Sequence, residues 1–106
     1  MPAETVELST YDYYQFSTRD DLKAVAICKG NGGKTAYLYF QGGTQALPTA
    51  SKNGNNYFLY YRYADMSNII DMLRNEKPVF LFYVPEGTNN TRISTSFEPV
   101  GEGERP

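Results

Sequence analysis

The run Gly30-Asn31-Gly32-Gly33-Lys34-Thr35 ends in the Gly-Lys-Thr that closes a phosphate-binding loop. Such a loop needs a glycine where Cys28 stands, and it must lead into a helix whose N-terminal amides hold phosphate. Here the β-forming residues Tyr37 to Phe40 follow instead. The run therefore reads as a hairpin turn, in which Asn and Gly supply the positive φ that a tight reversal needs.

Cys28 is the only cysteine, and the chain has no histidine. No internal disulfide can form, and a metal site built from Cys and His is excluded. The neighbouring Lys29 could lower the thiol pKa. A lone cysteine at a strand end is better read as a small core residue. Two carboxylate pairs, Asp20 with Asp21 and Asp65 with Asp71, have the composition of an acid/base dyad. Such a dyad works only where an apolar pocket drives the two pKa values apart, and no such pocket can be inferred around either pair. Asp65 is read as a helix cap and Asp71 as a solvated helix residue. No catalytic residue, metal or cofactor is assigned, and the reading favours a protein that is not an enzyme.

What remains is aromatic surface. The chain has 10 Tyr and 6 Phe but no Trp. Tyrosine and arginine are enriched where proteins meet partners, because a ring supplies contact area at low entropic cost and its hydroxyl tolerates a wet rim. Tyr37, Tyr39, Phe58, Tyr60 and Arg62 alternate along two β-forming runs and define the candidate interaction face. The expected function is a non-enzymatic interaction module, self-associating as a homodimer or binding another protein as an adaptor or immunity-type partner. The alternative is a small-molecule binder or minor enzyme with a cleft between a helix and a curved sheet, closed by the segment 42–56. Its polar groups would be Tyr61, Tyr63 and Asp65, beside Arg62, with Tyr or Asp moving any proton.

The elements that must position these residues follow from periodicity. Val6 and Leu8 alternate with Glu7 and Ser9, and Tyr11 to Phe16 continues in that style, as one long strand bent near Thr10 or as two short ones. Leu22 to Gln41 reads as a hairpin about the Gly30 to Gly33 turn, with Ala36, Leu38 and Phe40 facing the core and Tyr37 and Tyr39 facing out. Residues 42–56 show no periodicity and read as a long surface loop, anchored by Leu47. Tyr57 to Tyr63 is apolar on both faces and reads as a central strand. Met66, Ile69, Ile70 and Leu73 then fall at i, i+3, i+4 and i+7 on one helical stripe, begun at Asp65 or Ser67 and stopped before Pro78. Burying that stripe would contribute about 6–12 kcal/mol gross. Val79 to Val84 is a second central strand, paired through a turn with Thr91 to Val100, in which Ile93, Thr95 and Phe97 face inward.

The order β-β-β-β-α-β-β predicts an α+β fold: a curved, mainly antiparallel sheet or half-barrel of about six strands with one short helix. Whether the strand-helix-strand unit is parallel is open at this point. The 106 residues suit one domain, with 1–4 and 101–106 expected to fray. Hydrophobic residues make up 41% and charged residues 21%, which excludes a wholly disordered chain. The net charge of -2 comes from acids and bases spread without runs, so the clustered basic face of a nucleic-acid binder is missing. Residues 1–10 lack the basic and apolar pattern of a signal peptide and no apolar stretch approaches bilayer length, so with a single cysteine the expectation is a cytoplasmic protein without membrane contact. Small size without an enzyme signature is similar in general character to proteins carried on bacterial mobile elements, a resemblance that no motif carries.

Overall fold

The computed structural model describes residues 3–85 and 90–95. Its first strand, β1 (Glu4–Gln15), is long because it serves two neighbours. Glu4 to Leu8 pair with β6 (Val79–Tyr83), and Leu8 to Gln15 pair with β2 (Leu22–Gly30), both antiparallel. The register slips by one residue between Leu8 and Thr10, a bulge that bends the strand at the expected place. Because side chains alternate with period two, the extra residue exchanges the faces. Val6 and Leu8 point inward before the bulge; after it, Tyr11, Tyr13 and Gln15 lie opposite the inward Cys28, Ala26 and Ala24. Gly30 sits where the bulge presses closest, and a Cβ there would lie 2.6 Å from Val6 Cγ1 and 2.9 Å from the Glu7 carbonyl.

Strand β2 turns through a short 3-10 segment at Asn31–Gly33 into β3 (Thr35–Gln41), with Gly32 and Gly33 at φ 72° and 74°. The phosphate-loop resemblance therefore ends in a hairpin. Ala24, Ala26 and Cys28 on β2 and Ala36, Leu38 and Phe40 on β3 fall inward.

Next comes the one parallel pairing among the described residues: β3 lies beside β5 (Asn56–Arg62) in parallel register, Thr35 opposite Asn56 through Gln41 opposite Arg62. A parallel partner forces the chain to travel back along the whole of β3 before β5 begins, which is why this connection is long. Its second part is not loop, in contrast to the expectation for 42–56. Ser51–Asn53 forms β4, an edge strand turned onto β5 at Gly54 and Asn55. Ser51 and Asn53 are poor β-formers, so their pairing comes from the neighbouring strand. Leu47 is half-buried and Ala50 packs against the core.

A 3-10 turn at Tyr63–Asp65 leads into α1 (Met66–Asn75). Met66 and Ile70 are buried and Ile69 and Leu73 pack on the core, as the stripe predicts, and Met72, outside that stripe, packs there too. Asp65 precedes the helix as expected, but its backbone is already near-helical and its side chain makes no capping bond. At the other end the Glu76 amide bonds the Met72 carbonyl, and Pro78 follows. β7 (Arg92–Thr95) completes the sheet beside β6, with Ile93 buried. Thr95, expected inward, is exposed, since it lies at the last pair of the ladder, opposite Val79. Phe97 and the tail 101–106 lie outside the described residues, whereas Glu4, expected to fray, is the first residue of β1.

The strand order is β4-β5-β3-β2-β1-β6-β7, mixed because of the β3–β5 pair. The sheet curls until its two ends meet. The Tyr57 and Tyr83 rings touch edge to face, and the Tyr61 hydroxyl hydrogen-bonds the Ile93 main chain. Glu4 reaches from β1 across to Lys52 and Tyr57. The result is a half-barrel with α1 on its inner side, the α+β architecture expected from the sequence. No helix among the described residues is long and apolar enough to cross a membrane.

Candidate functional site

In the middle of β3 and β5 the side chains facing away from the core are rings. The parallel register puts Tyr37 opposite Phe58 and Tyr39 opposite Tyr60. These rings stack: Tyr37 on Phe58 at 5.4 Å between centroids, Tyr39 on Tyr60 at 5.5 Å, and Tyr39 on Phe58 at 6.3 Å, with interplanar angles of 16°, 25° and 6°. On the β2 side the pairing continues the rows with Val25 beside Tyr39 and Ile27 beside Tyr37, and β1 adds Tyr14 and Asp12. Val25 is fully buried although no helix covers it, because the aromatic rows close over it from both sides. Tyr37, Tyr39, Phe58 and Tyr60 are each half-buried. Burial beside Tyr60, Tyr14 and Tyr37 pushes the Tyr39 hydroxyl pKa up. Arg62 stands at the corner next to Gln41 and reaches the Gly43 carbonyl at 3.5 Å. The five residues picked for an interaction face thus fall on one surface.

The second set does not assemble. Tyr61 is on the inner face, stacked on Phe40 at 5.7 Å, and burial pushes its hydroxyl up to about 12. A half-barrel that closes on itself needs large inner residues, and Tyr61 meets that need with its hydroxyl satisfied by the Ile93 main chain. Asp65 is exposed at the helix start and does not line the cleft. Nor does the 42–56 segment close it: Pro48, Thr49 and Ala50 border a different, smaller cavity of about 150 Å³, beside Tyr60, Tyr61 and Pro85.

A cleft between helix and sheet does exist, in another place. A groove of about 640 Å³ runs between α1 and the second half of β1, with Tyr13, Gln15 and Tyr63 on one wall and Ile70, Asp71 and Arg74 on the other. Tyr63 is the one residue of the expected set that lines it; its hydroxyl donates to Gln15 Oε1 at 3.0 Å. Tyr13 and Tyr63, 39% and 38% exposed, are two of the three large apolar side chains most open to solvent among the described residues. Arg74 donates to the Tyr13 hydroxyl at 3.5 Å and also bonds Tyr11. Sequence reasoning missed Tyr13, Gln15 and Arg74. The available signal was the bend at Thr10, which exchanges the faces and turns Tyr11 and Tyr13 toward the helix.

The remaining chemistry candidates resolve locally. Cys28 is fully buried, and burial pushes its thiol up to about 12, while Lys29 projects from the opposite face of the strand. Asp21 pairs with Arg19 at 3.1 Å, which lowers its carboxyl to about 2. Asp71 accepts from the Asn75 amide at 2.7 Å. A cluster not foreseen joins Glu4, Lys52 and Tyr57: Lys52 Nζ lies 2.6 Å from one carboxylate oxygen, and the Tyr57 hydroxyl donates to the other. Those two bonds, Lys52 first, hold the Glu4 carboxyl below its ordinary range. The cluster pins the start of β1 to the β4–β5 hairpin and so ties the half-barrel at one rim. Compared with known protein families, curated proteins and solved structures, the chain has no match in any of the three.

Proposed function

We propose that the chain is a protein-interaction module that self-associates through the outer face of β2, β3 and β5. The observation that carries this reading is the ring stack of Tyr37, Tyr39, Phe58 and Tyr60. It is continuous across two strands and only half-buried, and no helix or strand among the described residues packs over it. Rings already held against one another lose little further freedom on docking, so more of their contact energy is available to the complex. Their hydroxyls keep the face wettable in the free protein.

A face also suits pairing with a second copy better than the ends of the sheet do. The terminal strands β4 and β7 have 3 and 4 residues and offer short ladders. Two identical aromatic faces can pack sheet on sheet about a two-fold axis, the same patch serving both copies. Arg62, Asp12 and Ser51 border the rings and supply the polar rim that such interfaces carry.

Light scattering over the micromolar range tests the reading. The expected mass is that of a dimer, falling toward the monomer on dilution and in Tyr39→Ala. A protein that stays monomeric throughout, and binds no partner through this face, would refute it.

A further inference from the structure

We infer that the groove between α1 and β1 is a docking site for an extended peptide, which adds as a strand to the free edge of β1 and places a carboxylate against Arg74. This inference is independent of self-association through the outer face. It begins with what β6 leaves uncovered. β6 pairs with β1 only from Glu4 to Leu8, whereas β2 pairs with β1 on to Gln15. Among the described residues, β1 therefore has a neighbour on one side only from Thr10 to Gln15. The Phe16 amide bonds the Lys23 carbonyl. In an antiparallel ladder the residues bonded to a given neighbour alternate, so Asp12 and Tyr14 face β2 with their main-chain groups while Tyr11, Tyr13 and Gln15 turn theirs to the open side. No backbone or side-chain bond to those groups occurs among the described residues.

An exposed row of amides and carbonyls is a template for another strand, and proteins usually shorten, charge or cover such edges. Here the edge is kept and a helix is set beside it. The 640 Å³ groove follows the edge from Gln15 to Tyr13, and a second cavity of about 560 Å³ continues along Tyr11 and Thr10 to Glu7, below Leu73 and Pro78. Both are bordered by Arg74. A strand edge facing a helix across an open groove is the geometry of peptide recognition by strand addition, in which main-chain bonds give affinity and the pockets for alternate side chains give selectivity. The unpaired stretch is about 17 Å long at roughly 3.4 Å per residue, enough for five or six residues of ligand.

The lining then states the chemistry of the occupant. Tyr13 and Tyr63 on the strand side and Ile70 on the helix side form an apolar seat for alternate side chains. Arg74 supplies the positive charge of the first cavity, beside Asp71, whose carboxylate accepts from the Asn75 amide, and the second cavity adds Glu7, Glu76 and Lys77. The partners of Arg74 are the neutral hydroxyls of Tyr11 and Tyr13, and no carboxylate among the described residues lies within ion-pair distance of it. A guanidinium so placed favours an acidic side chain or a C-terminal carboxylate on the incoming strand.

The experiment uses the whole chain as bait for random heptapeptides displayed on phage, followed by synthesis of the enriched sequence. The expected result is enrichment of β-forming peptides carrying Asp, Glu or a free C-terminus. Binding should slow hydrogen exchange at the Tyr11, Tyr13 and Gln15 amides. Arg74→Glu should weaken it about tenfold or more, since a bond to a charged group is lost. Tyr13→Pro, which deletes an outward amide without touching the β2 ladder, should weaken it similarly, whereas Tyr13→Phe should not. Should Tyr13→Pro fail to fold, N-methylation of the peptide at alternate residues asks the same question of the other strand. The inference is overturned by a library that yields no enrichment. It is overturned equally by binding that leaves those amides unprotected or is indifferent to N-methylation. Concentration-dependent protection of the same amides without peptide would overturn it too, by giving the edge to a second copy.

Discussion

Both faces of β3 and β5 carry phenylalanine and tyrosine rings, and the two sets of rings meet opposite fates. Inward, Phe40, Tyr57 and Tyr61 are packed by β6, β7 and α1, and each tyrosine hydroxyl finds a partner, Tyr57 on Glu4 and Tyr61 on the Ile93 main chain. Outward, Tyr37, Tyr39, Phe58 and Tyr60 pack chiefly on one another and are half-buried. The difference is not hydrophobicity. Among the described residues it lies in whether another element returns to cover the ring, and α1, β6 and β7 all return to the inner side. Inner rings are therefore expected to determine stability, and outer rings association.

Adjacent substitutions on β3 give the largest contrast. Leu38→Ala, at a fully buried site, should cost about 2–5 kcal/mol in urea unfolding. Tyr39→Ala, one residue on, should cost about 1 kcal/mol or less, the scale of cross-strand pairs on an open face. Equal losses would mean that the outer face is part of the monomer's core.

A smaller effect tests the rim tie. Tyr57→Phe removes the donor to Glu4 and should destabilise by about 1–2 kcal/mol, the typical consequence of losing a bond to a partly buried charged group. The same tie predicts a pH dependence. Because Lys52 and Tyr57 lower the Glu4 carboxyl in the folded state, its contribution is fully present above the ordinary value of 4.5 and is lost as pH falls through the lowered one. Melting temperature followed from pH 6 down through that window should therefore fall less steeply in Glu4→Gln than in the parent protein. Parallel curves would show that the contact adds nothing to closure of the half-barrel.

Smallest in stability is the outer ring pair itself. Tyr60→Ala should move the urea midpoint little, yet shift the apparent dimer dissociation constant upward about tenfold or more, as centrally placed aromatic contacts do.

Much of this arrangement is legible in the sequence where the code is local. The Gly30 to Gly33 turn follows from φ requirements, α1 from a stripe at helical spacing with Pro78 beyond it, and the outer ring set from period-two alternation on two strands. The parallel pairing of β3 and β5 is not local, since nothing within either strand selects its neighbour. β4 is legible only once β5 is in place, because Ser51 and Asn53 have no strand preference of their own. The Glu4 tie joins residues 48 and 53 positions apart. The groove depends on a single inserted residue that exchanges the faces of β1. Periodicity gives the face of a residue and not what stands opposite it, which is why Tyr61 and Asp65 are not placed by it relative to the cleft.

Association is proposed to run through the outer stack of Tyr37, Tyr39, Phe58 and Tyr60. Sedimentation equilibrium of the parent protein beside the Phe58→Ala, Tyr60→Ala double variant, each paired with its unfolding curve, tests that most directly. The predicted result is a parent dimer and a variant monomer of nearly unchanged fold stability. A parent that sediments as a monomer, or a double variant that still forms the dimer, would contradict it.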